Sequence, residues 1–156
     1  MKIILPTKIV QQLRYSMFFA GRREIGGILM AEDLGNQSFR VSDISIDMNS
    51  GTYCSFFRNA IEHDQALAKF HEINAGQHNR YNYLGEWHTH PSFTVQPSLQ
   101  DLEAMADLVD GGGGVDFAVL LIARIKWFCK FECSAQLFVK GHSSPFPVEV
   151  ILESPD

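Results

Sequence analysis

His88 and His90 stand one residue apart, Pro91 follows directly, and a carboxylate, Asp101, comes after ten intervening residues. Imidazole and carboxylate groups are ligands for a borderline-soft divalent ion such as zinc, and three of them leave a fourth tetrahedral position open for water. On a strand, residues two apart project to one face. His88 and His90 then reach a common ion while Trp87 and Thr89 point the other way. Pro91 has no N–H to continue a ladder and turns the chain into a loop. Pro97 and Ser98 open a helix, and Asp101, three residues after Ser98, lies on the same side of its first turn. A second carboxylate, Glu24 in Glu24-Ile25-Gly26-Gly27-Ile28-Leu29, is available to complete a hydrolytic site. These five residues point to zinc-assisted hydrolysis.

Each also has a plainer use. Ser98-Leu99-Gln100-Asp101 has the form of a helix capping box, and a hydroxyl can cap and assist catalysis together. A His-x-His pair is common at a surface or in a satisfied core. Glu24 alone reads as an exposed strand residue, although Gly26 and Gly27 beside it permit close backbone approach. Other zinc signatures are missing: the chain has no HExxH helix and no PCxxC pair. His63, His71, His78 and His142 fall in expected helix or loop and read as solvated or structural. Cys54, Cys129 and Cys133 form no CxxC, so reduced thiols are expected, with Cys129 and Cys133 as two small core residues on one face of a strand.

The elements that must place these groups are legible from periodicity. Residues 2–4 read as a strand. Residues 6–20 read as an amphipathic helix carrying Ile9, Val10, Leu13, Met17 and Phe18 and ending at Gly21. Residues 25–30 and 39–48 read as antiparallel strands joined near Gly35-Asn36. After a turn at 49–53, residues 59–73 form a helix with Ile61, Leu67, Phe70 and Ile73 near one stripe. A polar loop at 76–82 leads to a strand at 83–90, aimed at the histidines. A helix at 99–109 and a glycine connector at 111–114 follow. Strands are expected at 115–123, 126–133, 134–140 and 148–152. Helices interleave with hairpin-length strand links, which favours a mixed sheet flanked by helices over a purely parallel one.

With 156 residues the chain suits one domain, 1–156. A net charge of −5 argues against a general nucleic-acid binder. The apolar start stops at Pro6, short of a secretory segment, and the longest apolar run, 117–123, is too short to span a bilayer. A cytoplasmic location without membrane contact is the expectation.

The same residues resemble the JAMM (MPN-plus or JAB) metalloprotease family. Its motif is a distant Glu, then His-x-His-Pro, six residues, Ser, two residues and Asp, and the chain matches it without departure in spacing. Tyr83-Leu84-Gly85-Glu86-Trp87-His88 and Ser55-Phe56-Phe57-Arg58 are similar to stretches of the compact prokaryotic subgroup, although Phe56 and Phe57 also suit a core. The resemblance covers residues 1 to about 140. It implies a mixed, partly barrel-like sheet with surrounding helices, related to the cytidine-deaminase-like sandwich. It implies zinc on His88, His90 and Asp101, Glu24 as general base and then acid, and Ser98 as an oxyanion donor. It further implies a substrate carrying a ubiquitin-like protein whose tail binds as an extended strand at a sheet edge, with the segments 49–58, 76–82 and 93–97 as walls. The leading expectation is a peptidase that removes a ubiquitin-like modifier or analogous conjugated tail. Members of this subgroup accompany E1- and E2-like proteins, including those of antiviral systems. Processing of a sulfur-carrier precursor, and a metal-free scaffold, are the alternatives. A DNA-repair-associated relative has Asn between the histidines and Gly two residues after the proline; Thr89 and Phe93 stand there instead.

Overall fold

Apolar residues in alternation, or in short continuous runs, make seven segments of this chain extended, each with two faces to cover. The computed structural model describes residues 1–48, 60–111, 114–127 and 129–154. In it the strands are β1 (Lys2–Leu5), β2 (Gly26–Asp33), β3 (Ser38–Ile44), β4 (Tyr81–Thr89), β5 (Phe117–Lys126), β6 (Lys130–Val139) and β7 (Phe146–Leu152). The helices are α1 (Thr7–Ala20), α2 (Ala60–Ile73) and α3 (Leu99–Asp110). The strands close into a barrel in the order β1-β3-β2-β4-β5-β6-β7. Pairing is mixed: β2–β3, β2–β4, β5–β6 and β6–β7 are antiparallel, whereas β1–β3, β1–β7 and β4–β5 are parallel. The expected mixed, helix-flanked sheet is thus present, and it closes fully.

Closure sorts the apolar residues by strand parity. Val119, Leu121 and Ala123 of β5 face the barrel interior with Trp87, Leu29, Val41 and the buried stripe of α1, Ile9, Leu13 and Met17. Their neighbours Ala118, Leu120 and Ile122 face outward and are covered by Met105 and Val109 of α3. Ile28 and Met30 of β2 also face outward, against Phe70 of α2. Adjacent parallel strands need a long crossover, and between β4 and β5 it is supplied by the histidine loop and α3. The crossover therefore places the start of α3 over the end of β4.

Two helical stripes differ from expectation. Phe18 is 77% exposed and Ile61 71% exposed, because each lies roughly half a turn from the buried Ile9 or Phe70 at 100° per residue. Strands expected at 126–133 and 134–140 are differently divided: Lys126 ends β5, and Lys130–Val139 form the single strand β6, paired with β5 without a break from Val139–Phe117 to Lys130–Lys126. Cys129 accordingly sits before β6 and is exposed, so it is no core residue. Cys133 is half-buried, and burial pushes its thiol up to about 11. Cys54 and the segment 49–59, including Ser55-Phe56-Phe57-Arg58, lie outside the described residues. No described helix is long and apolar enough to cross a membrane.

Candidate metal centre

Directly paired strand residues share a face, and His88 of β4 stands opposite Gly26 of β2 and Ile122 of β5. Ile122 belongs to the cluster covered by α3, so His88 projects toward that helix. Trp87 goes inward, where its indole N–H donates to Ser45 O at 2.9 Å. The close crossing of Ser45 over β2 explains Gly27: a Cβ there would lie 2.1 Å from Ser45 O. The His90 N–H donates to Ala123 O at 3.0 Å, extending the β4–β5 ladder by one residue. Pro91 then ends it.

The two histidines and the distant carboxylate converge. The Nε2 atoms of His88 and His90 are 3.1 Å apart. Asp101 Oδ1 is 3.3 Å from His88 Nε2, and its Oδ2 is 3.5 Å from His90 Nε2. Donors on a tetrahedron with metal–ligand bonds of about 2.0–2.2 Å stand about 3.3–3.6 Å apart. The His88–His90 separation and the approach of one Asp101 oxygen to each imidazole are close to that edge length, and one donor atom from each of the three residues lies within 4.8 Å of the others, so the donor set can gather around a small divalent ion. Both histidines are buried. No other group of three metal-binding donors converges among the described residues.

Supporting contacts orient each donor. His90 Nδ1 donates to Thr94 O at 2.8 Å, which selects the tautomer whose Nε2 lone pair is available to an ion. The start of α3 is a full capping box. Asp101 N–H donates to Ser98 Oγ at 3.2 Å, while Ser98 N–H and its hydroxyl donate to Asp101 Oδ2 at 2.7 and 2.8 Å. Capping therefore engages Oδ2 and leaves Oδ1 facing His88. The two readings of Asp101, cap and ligand, describe one carboxylate with two oxygens.

Glu24 comes just before β2 and is buried, not an exposed strand residue. Its neighbour is pinned to the histidine strand: Ile25 N–H donates to Thr89 Oγ1 at 3.0 Å, and Thr89 N–H donates to Ile25 O at 2.9 Å. Thr89, the residue between the histidines, thereby sets where Glu24 enters the site.

Electrostatics follow from this crowding. Burial pushes the Glu24 carboxyl above its usual range, while His90 and His88 pull it back. For Asp101 burial acts upward, but hydrogen bonds from His88 and His90 hold it well below the usual carboxylate range. Burial alone would lower His90; contact with Asp101 and the Thr94 carbonyl outweighs that and raises it.

Thr89 and Thr94 escaped the sequence reading. Their partners lie 64 and four residues away, and a single threonine carries no pattern that names either contact. Two cavities flank the elements. One, of about 570 Å³, lies among Ile28, Leu67, Tyr83, Glu86 and Phe117 and includes none of the five site residues. The other, a groove of about 520 Å³, is lined by Met17, Phe18, Arg23, Pro91, Ser92 and Trp127, among others. Like the first, this groove is lined by none of the five site residues; its lining includes Thr89, which faces away from the histidine side of β4. Every described strand has a neighbour on both sides, but some segments are paired on one side only, among them Tyr81–Leu84 of β4 on its β5 side and Lys130–Ser134 of β6 on its β7 side. The walls expected at 49–58 fall outside the described residues.

Comparison with known proteins agrees with this geometry. A model of prokaryotic homologues of the JAB domain matches residues 6–135. A CD-NTase/cGAS isopeptidase from Vibrio cholerae serotype O1 is 33% identical over 102 residues, or 64% of this chain. The match spans 62% of that relative's length. A Desulfitobacterium hafniense protein known from its solution structure superposes with a TM-score of 0.72 at 18% identity, covering 98% of this chain and 94% of that one. A Salinibacter ruber protein gives 0.60 at 17% identity, covering 100% and 94%. At these identities the two structures speak for the fold alone.

Proposed function

Because the chain belongs to the family of prokaryotic homologues of the JAB domain, we propose that it is a zinc-dependent isopeptidase that releases a ubiquitin-like modifier, or an analogously conjugated protein tail, from its target. The observation that carries this reading is the convergence of His88, His90 and Asp101 at tetrahedral spacing beside the buried carboxylate of Glu24.

His88 Nε2, His90 Nε2 and Asp101 Oδ1 would hold the ion. Zinc at such a site supplies Lewis acidity and brings the pKa of water to about 7. Glu24 takes a proton from the attacking water and returns it to the departing amine. Its raised pKa suits both halves of that exchange, because a carboxyl titrating nearer neutrality accepts and releases a proton more evenly. The Ser98 hydroxyl donates to Asp101 in the resting geometry; rotated outward from its exposed position, it supplies a hydrogen bond to the developing oxyanion.

The name of the Vibrio relative, an isopeptidase, favours deconjugation over precursor processing. A scaffold has no need of the complete donor set or of Glu24. E1- and E2-like partners in a cytoplasmic conjugation system, of the kind that includes antiviral defence, belong to the same proposal. The test is cleavage of a modifier–protein fusion by the purified chain. Cleavage that stops with a chelator and returns with zinc is the expected result. A chain that holds no stoichiometric zinc, or cleaves equally well in chelator, overturns the reading.

A further inference from the structure

Three consecutive carbonyls in the loop between His90 and Ser98 each accept a hydrogen bond from a different element. Phe93 O accepts from Arg124 Nη1 at 2.6 Å. Thr94 O accepts from His90 Nδ1 at 2.8 Å. Val95 O accepts from the Ser134 hydroxyl. Arg124 is on β5, one residue past Ala123, whose carbonyl holds the His90 N–H. Its remaining donors are fixed as well: Nε and Nη2 reach Glu132 Oε2 on β6 at 2.9 and 2.7 Å. Lys130 approaches the other Glu132 oxygen at 3.3 Å.

A peptide unit is planar, so fastening its neighbours leaves a carbonyl little freedom to swing. Arg124 before Thr94 and Ser134 after it fasten the loop to the barrel wall. The Thr94 carbonyl is thereby held where the His90 ring needs an acceptor. The Phe93 ring also meets the His90 ring edge-on, with centroids 6.4 Å apart. Lysine cannot replace the arrangement, because its single ammonium lacks the planar fork that grips Glu132 and a carbonyl together.

We propose that Arg124 is a positioning residue for the metal centre: acting through the Phe93–Val95 peptides, with Ser134 as the second fastening, it sets the tautomer and rotation of His90. It touches none of the three donor atoms. The inference rests on the metal-centre reading and extends it to a residue outside the motif.

Arg124→Met and Ser134→Ala are the variants, with Arg40→Met as control. Arg40 makes an equally good ion pair with Glu153 on another part of the barrel. Zinc affinity is read by competition with a chromophoric chelator, and the His90 tautomer by nitrogen-15 NMR of the metal-free protein. Arg124→Met is expected to stay folded by circular dichroism, to bind zinc roughly 10- to 100-fold more weakly, the range for lost support of a ligating histidine, and to show mixed His90 tautomers. Ser134→Ala shifts both readouts in the same direction by less. Arg40→Met lowers the melting temperature while leaving both readouts at wild type. Wild-type affinity and a single His90 tautomer in folded Arg124→Met overturn the proposal, as does an equal loss of affinity in Arg40→Met. If Arg124→Met does not fold, an unchanged Ser134→Ala overturns it. If the wild-type chain binds no zinc, the function proposed above fails, and the His90 tautomer still decides whether the clamp exists.

Discussion

The chain carries two pairs of neighbouring histidines, and only one of them is equipped for metal chemistry. His88 and His90 are buried, with Nε2 atoms 3.1 Å apart and a carboxylate within 3.5 Å of both. His71 and His78, at the end of α2 and in the turn beyond it, are as intimate: their ring centroids are 4.2 Å apart, at 87°. Yet His71 Nε2 lies 3.2 Å from the Asn82 amide oxygen, and His78 is exposed. Contact between imidazoles is therefore a poor guide to function. What separates the pairs is the rest of the shell. The first has a third donor, a carbonyl that fixes one tautomer, and burial that strengthens each charge interaction. The second has an amide and solvent.

Substitution of a donor should break the contrast most completely. His88→Ala or Asp101→Ala is expected to lose zinc altogether on dialysis, whereas His71→Ala and His78→Ala keep it; metal content by mass spectrometry decides. Stoichiometric zinc in both of the first two variants would remove them as ligands. Glu24→Gln separates holding the ion from using it. It should retain zinc while the rate of fusion cleavage falls roughly 100- to 10,000-fold, the range for a lost general base. A variant that loses metal but keeps its rate contradicts the assignment.

The pH dependence sharpens the comparison, because only the first pair is coupled to two carboxylates. In the metal-free protein the lowered Asp101 contributes stability present above its ordinary 3.8 and lost as pH falls through its folded value. The raised His90 contributes stability present below its ordinary 6.5 and lost as pH rises through its folded value. Glu24, raised above 4.5, adds to the decline on the alkaline side. Chemical denaturation without metal should therefore show the site's contribution greatest between pH 3.8 and 4.5, declining above 4.5 through Glu24 and further above 6.5 through His90. Zinc must displace the His90 proton, so its apparent affinity should fall by up to about tenfold for each pH unit that pH drops below the folded His90 value, which lies above 6.5. Zinc-loaded protein should reverse the alkaline decline. A flat profile in both forms would refute the coupling. The smallest effect on folding is expected from Ser98→Ala, which removes the α3 cap: a loss of about 0.5–2 kcal/mol in denaturation, with zinc retained through Asp101 Oδ1 and fusion cleavage slowed about 100- to 1,000-fold by the lost oxyanion donor.

Much of this site could be read from residue order. The i, i+2 histidines, the proline stop and the Ser98–Asp101 cap are local features governed by strand and helix periodicity, and each appears where that periodicity places it. The mixed sheet and its helices were equally visible. Less visible were matters of sidedness at a distance. Phe18 and Ile61 fit an apolar count but not the facing core. The break expected near Cys133 vanished because unbroken pairing with β5 carries β6 through it. Thr89, Thr94 and Arg124 make contacts that no spacing announces.

Residue types and intervals alone thus specified which donors exist, that His88 and His90 share a face, and that Asp101 begins a helix. These follow from bond geometry within a few residues. Barrel closure and the β4–α3–β5 crossover decided that Asp101 comes within 3.5 Å of both imidazoles and that Glu24 is buried beside them. Side-chain contacts between segments 64 residues apart arise only once a shared core has fixed the strand register, since the packing that selects one register belongs to no single segment.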